Sequence, residues 1–145
     1  LTAYLLDTNV VSLLSPSRAE ASTDLFAWLD KAAETAEFFL SVVTVHEIER
    51  GIILLERKGA SAKARELRYW MDGLFTTYED RIIPIDPVVS ALSGKLEAEV
   101  IAAGHSPGMA DALIAGTAKA HDLTVVTLNL KHFEPFGIDL MGAPV

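Results

Sequence analysis

The sequence predicts an α/β domain built on a parallel sheet, and three observations carry that reading. Short apolar runs alternate with longer stretches in which apolar residues recur at helical spacing. The short runs show little in–out alternation, as expected of strands covered by helices on both faces. The 145 residues contain no repeat, low-complexity tract or linker-like shift, so residues 1–145 are read as a single domain.

The first strand is Leu5–Leu6 with Tyr4, and it stops at Asp7 in "YLLDTNVVSLL". Leu25, Phe26, Trp28, Leu29 and Ala32 then fall on one helix face. The second strand is read over Phe38–Val43 ("FFLSVV"), followed by a helix carrying Val45, Ile48, Ile52 and Leu55. A turn at Gly59 leads to the stripe Leu67, Trp70, Met71, Leu74, Phe75 and Tyr78, so two adjacent helices are expected to form a hairpin on the rim. Ile82–Ile85 ("IIPI") is the third strand. Val88, Leu92, Leu96 and Val100 mark the next helix, and Leu113, Ile114 and Thr117 another. Leu123–Thr127 ("LTVVT"), rich in β-branched residues, is the fourth strand, and Ile138–Met141 is a weaker fifth. Strands that alternate with helices pair in parallel through right-handed crossovers.

Composition narrows the function. The formal net charge is −8, from 20 acidic and 12 basic side chains. That argues against a broad basic coat for nucleic acid but leaves room for an acidic pocket that gathers metal ions. The absence of cysteine excludes a disulfide framework, a thiolate zinc site and a cysteine nucleophile, and it fits the expected cytoplasmic location. No apolar stretch approaches the ~20 residues of a membrane span, so no membrane partner is expected. No signal-peptide pattern opens the chain, and its first residue, Leu1, is what a trimmed end would leave.

An open parallel sheet binds ligands beyond the carboxyl ends of its strands, where strand order reverses. Asp7 follows the first strand there. The second leads through Thr44 to Glu47, read in the first turn of a helix. Asp111, in "SPGMAD", opens the helix before the fourth strand, and Asn129 follows that strand in "VVTLN". Each has a local explanation: Asp7 and Asn9 could close a turn, "TVHE" could be a capping box, and Asp111 could answer the helix dipole. Together, three carboxylates in one crevice repel one another, and a divalent cation is the natural compensation. All-oxygen ligands select a hard ion such as Mg²⁺ or Mn²⁺, which suits phosphate chemistry by activating water. Dinucleotide and phosphate-loop signatures are absent. A phosphatase of the haloacid-dehalogenase type would need an acid where Asn9 stands. His46, His105, His121 and His132 lack zinc-ligand spacing and are read as surface or supporting groups, His132 being a candidate substrate contact.

With those residues assembled, the sequence resembles the PIN-domain nucleases, specifically VapC-type toxins of toxin–antitoxin pairs. The resemblance rests on "LLDTNVVS", "SVVTVHEIERGI" and "ADALIAGTAKAHDLTVVTLNLKHFEPFGI", in that order, and covers nearly the whole chain. It implies a three-layer α/β/α fold with strand order 3-2-1-4-5 and a metal-dependent endoribonuclease that hydrolyses RNA phosphodiesters. The family's acids fall on Asp7, Glu47 and Asp111, its metal-holding and catalytic residues. Thr8, Asn9 and Thr127 match its polar support. The resemblance also implies a homodimer and an inhibitory antitoxin. Many relatives have aspartate where this chain has Asn129, so one well-held ion is expected, with Asn129 meeting it through water. Arg50, Lys131 and His132 are candidate RNA contacts. The alternative is a catalytically silent PIN-like module that binds RNA or protein. Against it, a silent copy has no physical reason to keep three mutually repelling acids.

Overall fold

β1 (Thr2–Leu6) lies at the middle of the computed structural model, which describes residues 1–145. It pairs in parallel with β2 (Ala36–Ser41) on one side and β4 (Thr124–Thr127) on the other. β3 (Ile82–Ile83) extends the sheet beyond β2, and β5 (Leu140–Gly142) extends it beyond β4. The order is therefore β3-β2-β1-β4-β5, parallel throughout, as expected. Strand order reverses beside β1, which places the sheet's crevice at the end of that strand.

Successive strand residues point to opposite faces, and the core divides accordingly. Leu5 and Val125 pack with Leu96, Val100, Ile114 and Phe133 under α5 (Pro87–Ala102), α6 (Met109–His121) and α7 (Leu130–Phe133). Leu6 and Val126 pack with Val10, Leu25, Ile48, Ile52 and Met71 on the other face. That face carries α1 (Thr8–Ser12), α2 (Thr23–Ala32), α3 (Val42–Arg57) and α4 (Ser61–Thr77). Leu5, Leu6, Val125 and Val126 are almost wholly buried, at roughly 1.5–3 kcal/mol each, so the two strands that frame the crevice are firmly seated. Trp28 belongs to this packing: its ring meets Tyr4 and Phe38 edge-on at 5.2 and 5.5 Å.

The structure departs from the sequence reading at several boundaries. The run "FFLSVV" is one strand in the sequence reading, but the strand ends at Ser41 and Val42–Val43 open α3. The Ser41 hydroxyl accepts the Val43 N–H at 3.0 Å and caps the helix. Such a cap stabilises by about 1 kcal/mol, more than the few tenths that each β-branched residue costs in a helix. In consequence Thr44 is a buried helical residue rather than a cap, and Glu47 lies in the second turn, not the first. β3 stops at Ile83, before Pro84, which has no N–H to give the ladder. β4 begins at Thr124 because Leu123 closes the preceding helix: its N–H reaches Ala118 O across Asp122, which is left-handed at φ 55°. The fifth strand starts two residues late, at Leu140. α1 is absent from the sequence reading. The hairpin of α3 and α4 does turn at Gly59, whose φ of 85° favours glycine.

Candidate active site

Asp7 ends β1 with its N–H still in the sheet, donating to Val126 O at 2.9 Å. Its carbonyl accepts the first bonds of α1, so the side chain is held where strand becomes helix. It is 5% exposed. Oδ1 accepts the Thr8 N–H and Oδ2 accepts the Thr127 hydroxyl, both at 2.8 Å. Burial pushes its pKa up to about 6, against the pull of those two hydrogen bonds, and the Asp111 and Glu47 carboxylates add to the rise. No lysine, arginine or histidine lies within ion-pair distance of it.

Two hydroxyl relays fix Asp7 and Glu47. Thr127 donates to Asp7 and accepts the Asn129 N–H at 3.0 Å. Thr8 donates to Glu47 Oε1 at 2.7 Å, which uses its only hydroxyl proton. The 2.9 Å contact between Thr8 and Thr44 hydroxyls therefore runs from Thr44 to Thr8. Thr44 is fully buried and was not among the expected site residues. Its place three residues before Glu47, on the same helix face, is the signal that identifies it.

Asp111 sits in the first turn of α6, after the Gly108 cap position. Burial raises its pKa, Glu47 raises it further, and nearby His132 opposes. His132 Nδ1 stands 3.8 Å from Asp111 Oδ2, and Arg50 Nη2 stands 3.9 Å from Glu47 Oε2. Lys131 and His132 line the depression beside Asp111, while Arg50 lines one between α3 and α6. Asn9 does not shape a turn; it lies within α1 and its Oδ1 accepts the Leu128 N–H at 3.4 Å. Asn129 meets the site through its backbone, its side chain being exposed. Glu49, two residues beyond Glu47, is taken up instead in an ion pair with Arg68.

The donor set fits a hard divalent cation. Asp7, Glu47 and Asp111 offer oxygen only, share one electrostatic field, and leave the buried Asp7 without a protein cation. They are not gathered into a ready-made cage of three ligands. Mg²⁺ needs none, because it is usually held by one or two carboxylates together with water and substrate phosphate.

The PIN domain family matches residues 4–134. The chain is 33% identical to toxin FitB of Neisseria gonorrhoeae over 130 residues, 89% of each. It is 31% identical to the VapC ribonuclease Y4jK of Sinorhizobium fredii over 139 residues, 95% of each. It superposes on the crystal structure of FitAcB from Neisseria gonorrhoeae with a TM-score of 0.78 at 32% identity, over 95% of this chain and 96% of that one. Other chains of this fold have been solved in a toxin–antitoxin complex and bound to DNA.

Proposed function

We propose, from the premise that this chain belongs to the PIN-domain family and to its VapC/FitB-type toxins, that it is a Mg²⁺- or Mn²⁺-dependent endoribonuclease whose work is done by Asp7, Glu47 and Asp111. One observation supports those assignments above all. The buried Asp7 carboxylate, at the point where strand order reverses, faces two further acids and no protein cation.

Asp7 and Asp111 would hold the ion most directly, and Glu47 completes the cluster through the ion or its water. Bound there, the ion supplies a Lewis acid that lowers the pKa of the attacking water and offsets charge on the phosphate. The hydroxyl relays keep the Asp7 and Glu47 carboxylates aimed before substrate arrives, so little reorganisation is needed there. Glu47, oriented by Thr8, is the carboxylate free to accept a proton from the attacking water. Water attacks phosphorus, the bond to the 3′ oxygen breaks, and the products are a 3′-hydroxyl and a 5′-phosphate. Asn129 brings no charge and no side-chain hydrogen bond to the cluster, which favours a single resident ion. The family setting supplies an antitoxin as inhibitor, and we place a homodimer with it.

An NMR titration with Mn²⁺ tests the metal site without a guess about substrate. Broadening should focus on Asp7, Glu47 and Asp111 and their neighbours, and Asp111→Asn should remove it. Diffuse broadening in the wild type would return these acids to local capping roles.

A further inference from the structure

Depressions of different chemistry border the acids. Between α3 and α6 lies a mostly apolar one with Val42, Met109 and Leu113, which also carries Glu47 and Arg50. Beside Asp111 lies the one that carries Lys131 and His132. A third, of about 240 Å³, starts at Thr8 and Glu47 and runs between the segment after α1 and the α3–α4 hairpin. Its polar walls are Ser12, Ser15, Ser17, Arg18 and Lys63.

In this groove, as over most of the surface, the cations are unpaired: neither Arg18 nor Lys63 has an acid within ion-pair distance. Lys63 also stands in the first turn of α4, where the helix dipole disfavours a cation. The backbone beneath Arg18 is pinned: its N–H donates to Ser15 O, and its carbonyl accepts the buried Ser22 hydroxyl at 2.9 Å. Ser15 and Ser17 hydroxyls share one hydrogen bond at 3.2 Å, which leaves one of their two protons uncommitted. Ser12 makes no side-chain hydrogen bond. Local folding thus explains neither cation, and donors are left over along one wall. Trp70 closes the far side, half-buried, with ring surface open to a base.

Resting on the nuclease reading above, we propose that this groove seats the single-stranded RNA on one side of the scissile phosphate. Arg18 and Lys63 hold the neighbouring phosphate, and the serine hydroxyls meet its oxygens. Continuity supports an RNA occupant: Thr8 and Glu47 belong to both groove and acid cluster, so a strand cut at the acids enters the groove directly. Cations then stand on both sides of the cut, Arg18 and Lys63 here and Lys131 beyond Asp111. A polyanion crossing an otherwise acidic surface needs that arrangement.

The test is binding of a labelled random-sequence single-stranded RNA pool to the chain carrying Asp111→Asn, across a range of salt, with and without Arg18→Ala and Lys63→Ala. Each phosphate contact on a single strand contributes about 0.7 to the slope of log affinity against log salt, so in the double variant loss of the one phosphate that Arg18 and Lys63 share should flatten it by about 0.7. Lys119→Ala, on the last turn of α6, should leave the slope unchanged. In the otherwise wild-type chain, the double variant should raise KM for cleavage several-fold with a smaller effect on kcat. An unaltered slope and KM, while the wild type cuts RNA normally, would overturn the groove assignment and leave the groove to a protein segment. A wild type that neither binds nor cuts RNA would overturn the nuclease reading itself, and the groove assignment with it.

Discussion

Burial lifts the Asp7 carboxyl from its ordinary value of 3.8 to about 6. Between those values the folded chain binds more protons than the unfolded one, so stability falls as pH rises through that window. The difference corresponds to roughly 3 kcal/mol of stability missing at neutral pH when no cation is bound. Asp7→Asn should therefore abolish cleavage and yet stabilise the metal-free protein, by up to about 3 kcal/mol above pH 6. The variant keeps an oxygen for the Thr8 N–H, and Thr127 can accept from its amide. Urea denaturation in chelator at a series of pH values checks this: the gain should shrink to nothing toward the ordinary carboxylate range. Thr127→Val removes a hydrogen bond to the charged form of Asp7, so the acid limb of the pH–rate profile should move up by about one unit. Asp7, Glu47 and Asp111 were legible because carboxylates interrupt apolar runs at strand ends and helix starts. Thr44 was legible only as sharing a helix face with Glu47; its partner Thr8 lies 36 residues away, and only the fold brings the two hydroxyls together.

Elements aim these side chains, and α6 is the most tightly placed. A Cβ on Gly116 would come within 1.9 Å of Ser93 Oγ and 2.9 Å of Ser93 Cα on α5. Gly116→Ala should cost about 1–3 kcal/mol in thermal or urea unfolding and lower cleavage as well, because the same helix carries Asp111. Adding Ser93→Gly should restore only part of the loss, since the Cα remains. Nothing in "DALIAGTAKA" announces that approach, because periodicity reports which face is buried but not how closely a neighbour lies. The second strand shows the same limit. Its apolar run continues unbroken across Ser41, and only the cap geometry decides where strand becomes helix. The Gly59 turn and the β-branched fourth strand were legible because their local chemistry and their place in the fold agree.

Across the whole molecule, a charge of −8 and a parallel sheet would fit many activities. The strand order was legible through resemblance of the motifs, because alternation of elements alone leaves several orders open. No helix is long and apolar enough to cross a membrane, in line with the absence of such a stretch in the sequence. The topology brings acids from β1, α3 and α6 to the one place where strand order reverses, and cations to both sides of it. The most direct test of the account is cleavage of a structured RNA pool by the purified chain with Mn²⁺, with the product ends mapped, beside Asp111→Asn and beside excess chelator. The account predicts discrete cuts with 3′-hydroxyl ends from the wild type with metal alone. Equal cleavage by Asp111→Asn, or cleavage that persists in chelator, would contradict it.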